Sequence, residues 1–209
     1  MVKVNLGCGP SGVENWINFD WGILPVSSKL VGLRSLAVKM GWLKNSYNVG
    51  WPEIKLADIR KKLPLRDGSV DWIYCSHVLE HLDYWQVEDV LKECFRVLKK
   101  DGRIRIVVPD LDKLIAKYEK NKDANLFCGE FFGFEKNRRP RGFLEKFSRR
   151  FIRPHEWLFN QQSLKDLIKG AGFQDISISD YRKSDMPEVE RLDLTEHREL
   201  SCYLEACRG

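Results

Sequence analysis

The chain has 209 residues, 43% of them apolar and seven of them Trp, at a formal net charge of +5. That length fits one medium domain, residues 1–209, with a well-buried core, and the apolar content excludes a disordered chain. No run reaches the roughly 18–20 apolar residues of a membrane span, and the N-terminus enters a strand-like pattern at once, so neither a transmembrane segment nor a signal peptide is expected.

The charge is local. Between Lys136 and Arg153, "KNRRPRGFLEKFSRRFIR" holds eight Lys or Arg against one Glu, a local +7 that leaves −2 for the rest of the chain. A general nucleic-acid coat is therefore not expected, whereas one local anionic contact is; a solvated loop is the plainer alternative. The six cysteines (Cys8, Cys75, Cys94, Cys128, Cys202, Cys207) contain no C-x-x-C pair, as expected of small core residues in a reduced cytoplasmic protein.

In chain order, "VKVNL" reads as a buried strand running into Gly7-Cys8-Gly9-Pro10-Ser11-Gly12, and "WINFDW" as a second short strand ending on Asp20. Residues 22–51 are poorly legible: Leu30, Val31, Leu33, Leu36, Ala37 and Met40 trace an amphipathic stripe that glycines interrupt. "EIKLAD" is strand-like and stops at Asp58, and an Asp-Gly-Ser turn leads into a strand over Val70–Cys75. Val87, Val90, Leu91, Cys94, Phe95 and Leu98 then step as one face of a helix, ended by Asp101-Gly102. "RIRIVV" is the next strand, closed by Pro109, and Leu111–Lys120 reads as a helix. Residues 122–160 are long and irregular. Ser163 and Asp166 form a capping-box pattern for a helix over 164–171, and "FQDISIS" and "LSCYLEACR" are the final strands.

Strands alternating with helices predict an α/β fold: one doubly wound, mainly parallel sheet. Such sheets bind ligands beyond the carboxyl ends of their strands, where strand order reverses. The residues at those ends are Gly7–Gly9, Asp20, Asp58, Ser76 with His77, and Pro109–Asp110.

The glycine turn is literally G-x-G-x-x-G, a dinucleotide fingerprint. Asp20 follows Gly12 by only eight residues, where an NAD site needs a helix between and an acid about 20 residues on. A turn that needs glycine only for its backbone angles would explain the glycines and leave the acids unexplained.

"VNLGCGPSG", the acid after the second strand, "LADI", "LPLRDGSVDWIYCSHVLEHL", "ECFRVLKKDGRIRIVVPDL" and "HEWLFNQQSLKDLIKGAGF" together resemble class I S-adenosylmethionine-dependent methyltransferases. The likeness is to the small-molecule enzymes in which "SHVLEHL" follows the fourth strand, and it covers the chain except about 22–51. It implies a Rossmann-like, seven-stranded sheet with an antiparallel last strand, S-adenosylmethionine as cofactor, and cofactor contacts at Asn5, Gly7, Cys8, Gly9, Asp20, Asp58, Ile59, Ser76 and His77. Asp20 would take the ribose hydroxyls and Asp58, beside the Ile59 backbone, the adenine amino group. The family often has an acid where this chain has Asn5, and the short Gly12–Asp20 interval implies a truncated first helix. A non-catalytic cofactor-binding module and an NAD-dependent oxidoreductase are the rival functions.

His77-Val78-Leu79-Glu80-His81 also matches an inverted zincin motif in an architecture foreign to proteases. Some O-methyltransferases that the chain resembles hold a divalent cation at the corresponding segment with a distant His, which would make the set His77, Glu80, His81 and His155. The plainer reading is that His77 lines the pocket while Glu80 and His81 pack at a helix start, and no metal is expected. His77, then His155, are the candidate bases for an acceptor proton. The acceptor is expected to be a small molecule or a lipid- or glycan-type anion, met by the arginines of 136–153, with 122–160 as an acceptor-side insert or lid.

Overall fold

The computed structural model describes residues 1–22, 53–133 and 154–209, together with Lys39. The irregular stretch within 22–51 and the basic stretch 136–153 therefore lie outside the described residues, Gly22 and Lys39 excepted.

Seven strands form one sheet: β1 (Lys3–Leu6), β2 (Ile17–Asp20), β3 (Lys55–Leu56), β4 (Val70–Ser76), β5 (Leu98–Pro109), β6 (Gln174–Ser179) and β7 (Ser201–Cys207), in the order β3-β2-β1-β4-β5-β7-β6. The first five pair in parallel, while β7 runs antiparallel to both β5 and β6. Strand order reverses between β1 and β4, which places the crevice for a ligand beyond Leu6 and Ser76.

The central strands β1, β4, β5 and β7 are mostly buried, as in sheets covered on both faces. On one face, Leu6 pairs in register with Phe19 and Cys75, Cys75 with Ile106, and Ile106 with Leu204, all buried. Helix α1 (Tyr84–Val97) lays Val87, Val90, Leu91, Cys94 and Val97 on that core. Burying each larger side chain is worth roughly 1.5–3 kcal/mol, so this stripe decides where the helix sits. The helix ends at Val97, and β5 begins at once with Leu98; Asp101 and Gly102 belong to the strand instead of stopping the helix. Gly102 is required there by packing, since a Cβ would lie 2.9 Å from the Lys99 carbonyl oxygen and 3.0 Å from that of Val70.

The opposite face carries a row of polar side chains in register: Asn18 beside Asn5, Asn5 beside Tyr74, Tyr74 beside Arg105, and Arg105 beside Glu205. The Tyr74 hydroxyl donates to the Leu192 carbonyl oxygen at 2.9 Å. Arg105, with no exposed side chain, donates through Nη2 to Asp193 Oδ2 and through Nη1 to Glu205 Oε1, each at 2.6 Å. Met186, Val189 and Leu192, flanking and within the short α5 (Val189–Leu192), close this face with Val13 and Trp16.

Two more helices follow β5: α2 (Leu111–Asn121) and α3 (Ala124–Phe132). Helix α4 (Gln161–Gly170) starts three residues before the expected 164 because Asn160 is its cap. Asn160 Oδ1 accepts from the Ser163 amide at 2.9 Å and Ser163 Oγ from the Asn160 amide at 3.0 Å, satisfying two end groups reciprocally. Asp166 takes no part in that cap; it accepts instead from Gln162 at 2.9 Å.

Candidate functional site

The turn after β1 is built by two glycines with different reasons. Gly7 sits at φ +67°, and a Cβ on it would fall 2.2 Å from Val78 Cγ2, so the turn and the segment after β4 touch only because the side chain is missing. Gly9 sits at φ +52° with open space where a Cβ would be. A single 3-10 turn, Gly9–Ser11, follows, and Gly12 has φ −59°, open to any residue. The first helix is thus reduced to one turn, and no helix N-terminus stands here to hold a pyrophosphate.

Asp20 closes this cradle from β2. Its Oδ2 accepts from the Gly9 amide at 2.7 Å and its Oδ1 from the Trp21 amide at 2.6 Å. Burial pushes its carboxyl above the usual aspartate value, against the pull of those two amides. Each oxygen keeps a further acceptor site, which is what a pair of vicinal hydroxyls requires.

Asn5 lies buried beneath the turn, its amide 3.5 Å from Asn18 Oδ1; Asn18 in turn accepts from the Val13 amide at 3.1 Å. Cys8 is buried beside Asp20, and burial raises its thiol to about 12. Asp58, two residues past β3, grips Arg60 through Nε at 2.7 Å and Nη2 at 2.8 Å, which holds its carboxyl below the usual range; Ile59 beside it is buried. That ion pair had no forewarning in the sequence reading. Asp110, at the end of β5, is a helix cap: its Oδ1 accepts from the Asp112 amide at 3.1 Å.

Beyond Ser76 the chain turns at His77, a non-glycine residue at φ +53°. Strain of this kind costs about 1–3 kcal/mol and persists only where surroundings impose it. Here they do: the His77 amide donates to the Val107 carbonyl at 2.9 Å, Nδ1 lies 3.1 Å from Glu80 Oε1, and Nε2 lies 3.0 Å from Ser201 Oγ. The ring stacks on His197 with centroids 3.5 Å apart, and burial lowers the His197 imidazole to about 4.

Glu80 has no exposed side-chain surface, and neither carboxylate oxygen has a well-formed hydrogen bond among the described residues. Burial alone would raise its carboxyl; His77 and His81 outweigh that and hold it below the usual glutamate value. The backbone of Glu80 is equally engaged, its carbonyl accepting from the Glu156 amide at 2.7 Å and from Trp157 at 3.2 Å. His81 and His155 approach with ring centroids 5.1 Å apart, and burial keeps the His155 imidazole below its ordinary value.

The structure thus gathers Gly7, Cys8, Gly9 and Asp20 at one turn, places Ser76 and His77 across the switch point, and sets His155 with His77 around Glu80. His197 and Ser201 were not foreseen. Ser201 opens the antiparallel β7 opposite Pro109, so an antiparallel last strand already implied that its first residues reach the ligand edge.

Residues 4–106 match a family model described as a methyltransferase domain. An uncharacterised transposon protein of Streptomyces fradiae is 32% identical over 120 residues, covering 55% of this chain and 32% of that protein, so the match spans about a third of that relative's length. Among solved structures, an S-adenosylmethionine-dependent methyltransferase from Archaeoglobus fulgidus aligns at TM-score 0.55 and 17% identity, covering 98% of this chain and 85% of the other. One from Methanosarcina mazei aligns at TM-score 0.54 and 18% identity, covering 99% and 91%. These likenesses concern the fold, and the seven-stranded sheet with its antiparallel β7 agrees with them. Residues 4–106 thus resemble a methyltransferase domain, and the chain shares the fold of solved S-adenosylmethionine-dependent methyltransferases.

Proposed function

We propose that the protein transfers a methyl group from S-adenosylmethionine to a small or medium anionic acceptor. The observation that carries this reading is the half-buried Asp20 carboxylate held on the open-faced Gly9 turn at the switch point. The cofactor's sulfonium supplies an already activated methyl group. Gly9 leaves room for backbone approach to the cofactor, Asp20 accepts from its ribose hydroxyls, and Asp58 with Ile59 bounds its adenine. Asn5 supports the turn from below. Ser76 and His77 form the wall between cofactor and acceptor, where alignment of the two reactants does most of the work.

His77 is the proton acceptor. With Nδ1 lying 3.1 Å from Glu80 Oε1, Nε2, beside the Ser201 hydroxyl, is taken as the basic atom. The ring keeps 22% of its side-chain surface exposed, so an acceptor hydroxyl that displaces Ser201 delivers its proton to Nε2. His155 is the weaker candidate, since its Nδ1 is held by the Phe131 carbonyl at 2.9 Å.

The anionic character rests on Arg138, Arg139, Arg141, Arg149 and Arg150, which lie outside the described residues. What supports their relevance is the pair of flanks: the His155 amide donates to the Phe132 carbonyl at 3.4 Å, and the His155 ring approaches that of His81. A phosphate- or carboxylate-bearing sugar or lipid-linked glycan fits arginine's two-pronged fork. Calorimetry with S-adenosylhomocysteine and NAD tests the reading: micromolar binding of the first and none of the second is expected, and the reverse overturns it.

A further inference from the structure

The chain has four histidines, and all four surround Glu80. His77 and His197 stack on one side. On the other, one carboxylate oxygen of Glu80 and one ring nitrogen each of His81 and His155 lie within 4.8 Å of one another.

The hydrogen bonds of the two rings say which nitrogens are free. His81 Nδ1 lies 3.2 Å from the Pro154 carbonyl oxygen, and His155 Nδ1 lies 2.9 Å from that of Phe131. A carbonyl oxygen can only accept, so each Nδ1 carries the hydrogen and each neutral ring keeps its lone pair on Nε2. A carbonyl on the far nitrogen is how proteins orient imidazoles that bind metal. The third group is a wholly buried carboxylate whose oxygens lack a well-formed hydrogen bond among the described residues. A buried carboxylate without a well-formed hydrogen bond thus lies within 4.8 Å of a nitrogen of each of two imidazoles whose lone pairs are free on Nε2, a donor set that a cation would satisfy.

The two segments are also clamped independently of any ion. The amides of Glu156 and Trp157 donate to the Glu80 carbonyl, which fixes the stretch from Pro154 against the Leu79–His81 turn. His77, 3.1 Å from Glu80 Oε1, orients the carboxylate from behind.

We propose that Glu80, His81 Nε2 and His155 Nε2 bind one divalent first-row transition-metal ion. Two imidazoles and a carboxylate favour zinc, cobalt, iron(II) or manganese over the oxygen-seeking magnesium and calcium. Bonds of about 2.0–2.2 Å require the three atoms to draw in by roughly 1 Å from their present spread. His81 and His155 are only partly buried, which leaves coordination positions for an acceptor oxygen. Glu80, His81 and His155 would hold the ion, which would supply Lewis acidity toward an acceptor hydroxyl beside His77. That role rests on the methyl-transfer reading; the binding site does not. The proposal departs from the expectation of no metal drawn from the sequence, with a set that excludes His77 as a ligand.

The test uses the full chain, stripped with EDTA and desalted. Calorimetry and elemental analysis with cobalt(II) or zinc should give one ion per chain, bound at least tenfold more tightly than magnesium. His81→Gln and His155→Gln should each weaken cobalt binding at least tenfold while S-adenosylhomocysteine affinity and the circular dichroism spectrum stay unchanged. Should one variant lose its fold, the other carries the same contrast. Folded wild-type protein that takes up no cobalt or zinc at about 1 mM, a free energy near −4 kcal/mol, overturns the site, as does uptake unaltered in a folded variant. S-adenosylhomocysteine binding without metal uptake sinks only the metal site, and metal uptake without it sinks only the methyl-transfer reading.

Discussion

The Asp20 carboxylate accepts the Gly9 amide hydrogen at 2.7 Å, joining the end of β2 to the turn that follows β1. One side chain therefore shapes the glycine turn and is also the one proposed to accept from the ribose. Asp20→Ala is expected to cost about 1–3 kcal/mol of S-adenosylhomocysteine binding, roughly five- to 150-fold in Kd. Calorimetry at neutral pH measures this, and an unchanged Kd removes Asp20 from the site.

The two glycines of the turn predict opposite phenotypes. Gly9→Ala places a methyl group in open space, so the fold survives with about 1–3 kcal/mol of left-handed strain while cofactor affinity falls as the methyl meets the ligand. Gly7→Ala drives its methyl into Val78, next to the strained His77, and should lower Tm well beyond the Gly9 variant. Equal Tm losses in thermal melts would contradict this division of roles.

How much of this was legible depended on whether the physics was local. The strands β1, β4 and β5 and the stripe of α1 are visible because apolar spacing encodes them directly, as are the acids at strand ends. The α4 cap was misplaced by three residues because Asn160 and Ser163 compete with Ser163 and Asp166 for one pattern, and the backbone geometry settles the contest. Arg105 was read as part of an apolar strand with no partner; its burial makes sense only with Asp193 and Glu205, 88 and 100 residues away. Likewise the motif flagged Glu80 beside His77 and His81, but its complete burial and the approach of His197 depend on segments far apart in sequence.

That buried arginine carries its own prediction. Arg105→Ala leaves Asp193, whose side chain has no exposed surface, without its counter-charge, at an expected cost of about 3–5 kcal/mol. Urea denaturation should show this loss, and adding Asp193→Asn should recover part of it. A loss below about 1 kcal/mol would mean that the network is solvated in solution.

Thiol reactivity separates surface from core. Burial raises Cys8, Cys94 and Cys202 to about 12, so at pH 7.5 almost none is thiolate, whereas Cys128 is exposed. Ellman's reagent should label Cys128 rapidly, Cys128→Ser should abolish that phase, and Cys8, Cys94 and Cys202 should react only in denaturant. Rapid labelling of Cys8 in the folded protein would show that the turn opens.

The last prediction concerns the basic stretch, whose flanking residues Phe132 and His155 are hydrogen-bonded to each other beside Glu80 and His81. The stretch between these two residues carries a local +7 in the sequence, which favours an anion. The glycine turn follows β1, whereas these flanks follow β5, so the two proposed functions are separable by mutation. Replacing Arg138, Arg139 and Arg141 together by Gln should leave S-adenosylhomocysteine affinity unchanged. The acceptor KM should rise several-fold and lose part of its salt dependence, because exposed charge pairs weaken as ionic strength rises. Steady-state kinetics at two salt concentrations reads both effects. A KM and salt response equal to those of the wild type would leave these arginines as a solvated loop with no part in acceptor capture.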